Sequence, residues 1–461
     1  MANNFSMTTE QIEIVNRSCM LNRNETLMIN AFAGTGKTST LVEIAKANRH
    51  KKFLYVAFNN AVVKESKKKF PDNVTVATLH SLAIKILKIN VSNIKNNDYD
   101  IVSFAELFGL DSDKFDYISE ALKYYKEYCA SDTIYPETLF VSKESRNFTM
   151  LGKAYYLDFI KFLFEGKIQI THDFYLKRLS LATNELKEFS KNFDYFLLDE
   201  MQDSNPVSLA IFKHFEGAKI LVGDKHQQIY QFRGSVNAMD NFKAEYKFYL
   251  TNTFRCNQLI VDYANNILRK YLDSNKQLIS RNNTDNYSIQ SVGYISRTNS
   301  SLIEIINIFM NDNIPFILTK KPKEVFTGAI NMYYFIKGET EKLDREFKFL
   351  NRFNDVKELK SYIDKYNLID LGMNLKIAKR YKARLFILYK YSKQCSGKNN
   401  DTVKIYLTTA HASKGLEWDK IILAKDFKAL SSIKDRDELL QEANLLYVAY
   451  TRAKFEIEFL E

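Results

Sequence analysis

The chain has 461 residues, 46% hydrophobic and 26% charged, enough for roughly two to four domains with real cores, which excludes global disorder. Lys and Arg number 66 against 55 for Asp and Glu, giving a formal net charge of +11 that suits a polyanionic partner. With 14 Gly and 5 Pro it is neither collagenous nor linker-rich, and its four scattered cysteines form no CxxC pair, which points to a reducing cytosol without a disulfide frame or zinc site.

From the N-terminus, MANNFSMTTEQIEIVN has no basic segment followed by an apolar stretch, and no run reaches the ~18 apolar residues of a membrane span. A soluble cytoplasmic protein with no membrane partner is therefore expected, nucleoid-associated when on DNA, or nuclear if the source is eukaryotic. No fixed repeat is present, so a solenoid or propeller is not expected. Short apolar runs of strand type then recur between amphipathic stretches: TLMINAF (26–32), FLYVAF (53–58), VTVAT (74–78), YFLLDE (195–200), AKILVGD (218–224), IQSVGYIS (289–296), KIYLTTAH (404–411) and KIILAK (420–425). Strands separated by helix-length segments predict right-handed βαβ units and parallel sheets. Residues 90–168 and 321–400 break that rhythm with Lys, Tyr, Phe and Leu at helical spacing, and are predicted as mostly helical insertions. ITHDFYLKRLSLATNELKEF (170–189) reads as one helix leading back into a sheet.

AFAGTGKTST follows the first strand, so Ala33, Gly34, Thr35, Gly36, Lys37, Thr38 and Ser39 sit where a strand turns into a helix. Glycines there let successive N–H groups cradle phosphates, the helix N-terminus adds partial positive charge, and Lys37 reaches the β/γ oxygens. Thr38 is placed to hold Mg²⁺. Ala31 stands where the general GxxxxGK[ST] pattern has its first glycine. In FDYFLLDEMQDSNP, Asp199 and Glu200 end an apolar strand, the edge at which open α/β sheets bind ligands. Asp199 is a candidate Mg²⁺ carboxylate and Glu200 a candidate base for the attacking water.

LVGDKHQQIYQFRGS (221–235) is similar to the GDxxQSIYxxRGA segment of UvrD/Rep/PcrA-like superfamily 1 helicases, and further segments resemble that family's motifs in order. MTTEQ, AFAGTGKT, YVAFNNAVVKE, TVATLHSLA, LTNTFRCN, TTAHASKGLEWDKIIL and NLLYVAYTRAK fall between residues 11 and 454, and Ala31 is no anomaly beside the family's AGAGSGKT. YVAFNN, DEMQDSNP and the small second insertion look more like the F-box DNA helicase group than the larger repair helicases. Ten residues before Gln11 and nine after Arg452 lead us to expect neither an F-box nor a fused nuclease in this sequence.

The resemblance implies an α/β fold of two RecA-like parallel-sheet motor domains in tandem, with ATP and Mg²⁺ as cofactors. The first motor domain is expected at 1–89 and 169–249, interrupted by 90–168, and the second at 250–320 and 401–461, interrupted by 321–400. Gln11 is implied as the adenine reader, Gln227 as the γ-phosphate sensor, Arg255 and Arg452 as arginine fingers, Glu417 as a nucleotide contact, and Phe254 as the adenine stack. Phe58, Asn59, His80, Tyr230, Phe232, Arg233, Thr409 and His411 are implied to contact DNA. The residues also admit blander readings: Arg452 covering a core face, Tyr230 and Phe232 as core aromatics, His80 and His411 as structural hydrogen bonders, and the runs KESKKK (64–69) and KIAKRYKAR (376–384) as solvated faces, although aligned with the cleft those runs would neutralise DNA phosphates. The implied activity is ATP-dependent translocation on single-stranded DNA, 3′→5′, acting at single-strand/duplex junctions as a monomer, with recombinase or repair proteins as candidate partners. The alternatives are a translocase that mainly strips proteins from single strands, or an ATP-controlled nucleic-acid-binding switch.

Overall fold

The computed structural model describes residues 6–57, 59–141, 149–229, 239, 242–284, 286–365, 368–395 and 404–460. The chain divides into two compact units, Met1–Asn252 and Thr253–Glu461. Each is a mixed α/β unit built on a parallel sheet.

In unit 1 the strands are β1 (Thr26–Ala31), β2 (Phe53–Ala57), β3 (Val74–Thr78), β4 (Tyr195–Leu198), β5 (Ala218–Gly223) and β6 (Tyr246–Leu250). They form one sheet in the order β3-β2-β4-β5-β1-β6, every neighbouring pair parallel. β2, β4 and β5 are buried along their whole length, as continuous apolar runs require when helices cover both faces. Leu198 lies opposite Leu221, and Asn30 opposite Gly223, so the C-terminal ends of β4, β5 and β1 lie in step. That alignment places three short loops side by side, and the chemistry of unit 1 sits on them.

One face of this sheet packs on the helices before and after β1 through Ile14, Leu41, Ile44, Ile29 and Leu197. The other face, with Leu54, Val56, Phe196 and Leu221, shares one core with the helices Ile101–Phe108, Phe115–Ala130 and Met150–Phe164. Phe159 is central there, its ring 4.9 to 5.0 Å from those of Tyr99, Phe104 and Tyr125. Buried Lys177 donates to the carbonyls of Ser131 and Thr133 and lies over the Tyr128 ring; burial pulls its pKa down to about 8. The segment expected as one helix over 170–189 is two, His172–Leu181 and Thr183–Ser190. The break is at Ala182, whose ψ of 61° leaves the helical range.

At the junction of the units β7 (Asn252–Thr253) pairs with β8 (Ile279–Ser280), and unit 2 continues with β9 (Ser291–Ser296), β10 (Ile317–Leu318), β11 (Lys404–Thr409), β12 (Trp418–Leu423) and β13 (Ala453–Phe459). The last five form a parallel sheet in the order β10-β11-β9-β12-β13. Helices Pro322–Lys337, Val356–Lys365, Ile369–Tyr381 and Arg384–Cys395 contribute to a second core that includes Ile305, Phe326, Leu359, Leu388 and Leu407. Among the described residues no helix is long and apolar enough to cross a membrane, and the four cysteines are free.

Candidate nucleotide site

β1 ends at Ala31, and Phe32–Gly36 turn the chain into the helix Lys37–Ala47. Gly34 (φ 70°) and Gly36 (φ 81°) take left-handed backbone that a side chain would strain, and Thr35 Oγ1 pins the turn by donating to Phe32 O at 2.8 Å. No side chain caps the helix, so its first-turn N–H groups form the expected anion cradle. Gln11 is fully buried beneath it. Its Nε2 donates to Thr40 Oγ1 at 3.0 Å, Thr40 Oγ1 donates to Gly36 O at 3.0 Å, and its Oε1 accepts from Thr8 N–H at 3.0 Å. In this structure Gln11 thus braces the loop from behind. Ser39 is exposed and Ala33 buried.

The loop after β4 supplies the carboxylates. Lys37 Nζ lies 3.1 and 3.2 Å from the two Glu200 oxygens. Burial works against the Lys37 ammonium, but the Glu200, Asp199 and Asp224 charges outweigh it and hold its pKa above the ordinary lysine value. Asp199 Oδ2 accepts from Tyr55 OH at 2.9 Å and from Thr38 Oγ1 at 3.4 Å, while Oδ1 accepts from Glu200 N–H at 2.9 Å. Burial, and then the neighbouring Glu200, push the Asp199 carboxyl above its usual range despite Lys37. A carboxylate short of positive charge beside a hydroxyl is an all-oxygen donor set that fits a small hard cation such as Mg²⁺ completed by water and phosphate oxygens. Among the described residues no cluster of three or more His, Cys, Asp or Glu side chains forms a fuller cage, as such a site requires none. Glu200 itself sits at φ 51°, a left-handed conformation unusual for a bulky side chain and of the kind that concentrates at working sites.

The loop after β5 completes the set. Asp224 is buried and accepts from Gln227 Nε2 at 2.7 Å and from His226 N–H at 3.0 Å. Burial raises its pKa, against the pull of Lys37. His226 is kept neutral, its pKa drawn down to about 3 by burial and then by Lys225. Gln202, also fully buried, joins the β4 and β5 loops: Nε2 donates to Glu200 Oε2 at 2.5 Å, and Oε1 accepts from Asp224 N–H at 3.0 Å. The sequence reading passed over Gln202, Asp224 and Tyr55. Gln202 and Asp224 stand inside DEMQDSNP and LVGDKHQQIYQFRGS, and Tyr55 opens YVAFNNAVVKE, but none of those segments announces the partner each one finds across the sheet.

In unit 2, Arg255 Nε donates to Glu417 Oε2 at 2.7 Å and Arg255 Nη1 to Thr451 O at 3.2 Å. Arg452 is 2% exposed, donating to Val448 O (2.9 Å), Leu416 O (3.1 Å) and Thr451 Oγ1 (3.2 Å). Lys454 Nζ lies 3.7 Å from Glu417. Arg255, Glu417 and Arg452, far apart in sequence, therefore gather around Thr451, with exposed Phe254 at the adjoining strand end.

The residues implied to contact DNA are more scattered. Asn59 caps the helix Asn60–Lys69, its side chain accepting from Val62 N–H at 2.9 Å. His80 is half-buried, its ring edge-on to Tyr175 (5.7 Å) and His172 (6.2 Å), and burial followed by His172 lowers its pKa. Thr409 is buried with no hydrogen-bond partner for its hydroxyl among the described residues, and His411 is partly exposed. Phe58, Tyr230, Phe232 and Arg233 lie outside the described residues.

The description "UvrD/REP helicase N-terminal domain" matches residues 7–247, and "UvrD-like helicase C-terminal domain" matches residues 318–459. The chain is 29% identical to F-box DNA helicase 1 of Gallus gallus, over 97% of this chain and 48% of that protein. It is 28% identical to F-box DNA helicase protein 1 of Schizosaccharomyces pombe, over 98% of this chain and 57% of that protein. It is 23% identical to ATP-dependent DNA helicase PcrA of Bacillus subtilis, over 53% of this chain and 37% of that protein. The chain spans about half the length of the F-box relatives it matches. With both domains matched in order on two parallel-sheet units, the chain belongs to the UvrD/REP helicase family.

Proposed function

We propose that the chain is an ATP- and Mg²⁺-dependent DNA helicase motor that moves 3′→5′ on single-stranded DNA and acts at single-strand/duplex junctions. The observation that carries the reading is the convergence of Lys37, Thr38, Asp199, Glu200 and Gln227 on the ends of three neighbouring strands. Family membership and the names of the relatives support DNA as the track.

In this mechanism the loop amides and Lys37 bind the β/γ-phosphates. Thr38 and Asp199 hold the magnesium ion, which when bound neutralises phosphate charge. Glu200 takes a proton from the attacking water. Before nucleotide arrives its carboxylate rests on Lys37, so a phosphate chain that recruits the lysine also frees the base. Gln227, held by Asp224, senses the γ-phosphate. Arg255 and Arg452 supply fixed positive charge to the transition state, and Phe254 stacks on adenine while Gln11 serves the adenine side. Asn59, His80, Thr409 and His411, with Phe58, Tyr230, Phe232 and Arg233, grip the strand through phosphate contacts and stacking.

The test is single-turnover unwinding of 3′-tailed, 5′-tailed and RNA-tailed duplexes beside DNA-stimulated ATP turnover. Faster unwinding of the 3′-tailed DNA is expected. A faster 5′-tailed substrate refutes the polarity, and absence of DNA-stimulated turnover refutes the motor.

A further inference from the structure

We propose that Tyr55 is a positioning residue that fixes the Asp199 carboxylate for a divalent cation and ties it to the basic helix Asn60–Lys69. The inference rests on the reading above, in which Asp199 holds the cation and Asn59, the cap of that helix, contacts the strand.

β2 is wholly buried, and an apolar side chain would serve its packing at position 55. Tyrosine brings a hydroxyl that must find a partner once it is 1% exposed, and the partner is the carboxylate assigned to the metal. With Oδ2 held by Tyr55 and Oδ1 by the Glu200 N–H, the plane of the Asp199 carboxylate is set before any cation arrives. Hydrogen bonds to a ligating carboxylate orient it, and their loss typically weakens metal binding ~10–100-fold.

The other side of Tyr55 is held by the basic helix. The Phe70 ring, at the helix C-cap, lies 4.8 Å from the Tyr55 ring. Ser66 is the buried residue of that helix, on the side that packs inward. The outward face carries Lys64, Lys67, Lys68 and Lys69, all exposed, with Glu65 paired to Lys69. A phosphate backbone drawn to those lysines thus acts on a helix whose inner face rests on Tyr55. Any shift in cation affinity caused by the strand must be matched by an equal shift in strand affinity caused by the cation.

The experiment uses the full chain, manganese(II) with ADP, and free manganese read by electron paramagnetic resonance. Tyr55→Phe keeps the ring against Phe70 and is expected to weaken manganese binding ~10–100-fold while metal-free ADP affinity is unchanged. A single-stranded oligothymidylate is expected to shift manganese affinity in the wild-type chain and to leave Tyr55→Phe unmoved. Phe70→Leu, which leaves the Tyr55 bond to Asp199 intact and removes the ring contact to the basic helix, should keep manganese affinity and shrink the oligonucleotide shift. Equal manganese affinity in wild type and Tyr55→Phe overturns the positioning role, and an equal oligonucleotide shift in the two overturns the coupling. A wild-type chain that binds no manganese with ADP overturns instead the cation assignment made under the proposed function, and one that ignores the oligonucleotide overturns the nucleic-acid face of the helix and the coupling with it.

Discussion

Gly223→Ala isolates the bridge between the Glu200 and Asp224 loops. Gly223 ends β5 without a positive φ, so alanine meets no backbone objection there; the obstacle is space. A Cβ on Gly223 would stand 2.5 Å from Gln202 Oε1, 2.9 Å from Met239 Sδ and 3.3 Å from Gln202 N. The methionine can bend away, but the Gln202 amide can do so only by leaving Glu200 and the Asp224 N–H. A neutral buried hydrogen bond is worth about 1 kcal/mol and one to a carboxylate about 1.5–3, so the displacement costs about 2.5–4 kcal/mol. Stiffening the unfolded chain returns about 0.4–1 kcal/mol, leaving a net loss of about 1.5–3.5 kcal/mol. Gln202→Ala forfeits the same two bonds, so the second change in a double variant should find most of the loss already taken, with a coupling of about 2 kcal/mol. Native-state hydrogen exchange of the β4 and β5 amides measures all four corners of the cycle, and turnover should fall with Glu200 adrift. Losses that simply add to within about 0.5 kcal/mol would show that Gly223 does not serve the Gln202 bridge.

Lys37→Ala should abolish nucleotide binding, whereas Glu200→Gln should retain affinity and lose hydrolysis; equal loss of binding in both, by titration with a fluorescent nucleotide, would contradict their separate roles. Arg255→Ala and Arg452→Ala should each depress the DNA-stimulated kcat far more than ATP affinity, and lysine should not restore it fully. Arg452→Ala should also destabilise unit 2 by about 1–3 kcal/mol, because the buried Val448 carbonyl and Thr451 hydroxyl lose their donor. Urea unfolding followed by Trp418, the single tryptophan of the chain, reads that loss, and an unchanged midpoint would remove the buried role. Phe232→Ala should weaken single-strand binding by about 1–3 kcal/mol by fluorescence anisotropy, and an unchanged affinity would return Phe232 to the core. Affinity should fall linearly with log salt concentration, and a flat dependence would remove the phosphate contacts.

The strands easiest to foresee were those with both faces buried. FLYVAF and AKILVGD are continuous apolar runs because helices cover them on each side, and the structure places β2 and β5 there. β6 and β13 escaped notice for the opposite reason. YKFYL and AKFEIEF alternate, being the edge strands of their sheets, and the latter begins inside the segment NLLYVAYTRAK. Lys420 on β12 pairs with Glu456 and Glu458 on β13, a contact that spacing along the chain does not announce. β10 is two residues long and exists only by pairing with β11. At the site, the glycine turn and the acidic pair are legible because their chemistry demands particular residue types at one place in the chain. Gln202 and Tyr55 act across the sheet, and their partners depend on strand order, which local pattern does not contain.

Charge explains why the assigned roles fall as they do. Around the cradle of unit 1 one lysine faces three carboxylates, Asp199, Glu200 and Asp224, and burial holds Asp199 and Asp224 above their usual pKa. A polyphosphate added to that set brings further negative charge into a poorly solvated place, where each uncompensated anion is costly. In the proposed mechanism the divalent cation assigned to Asp199 and the arginines assigned as fingers would supply positive charge to balance it. The Thr451 cluster of unit 2 has the opposite surplus: Arg255, Arg452 and Lys454 against Glu417. Its guanidinium groups are already held by Glu417, Thr451, Val448 and Leu416, so little side-chain entropy remains to be lost when they meet an anion. Arg255 is the more exposed of the two and ion-paired to a half-exposed carboxylate, which solvent screens, whereas Arg452 is sealed among backbone carbonyls. Removing Arg255 should therefore act almost wholly on turnover, and removing Arg452 on turnover and stability together.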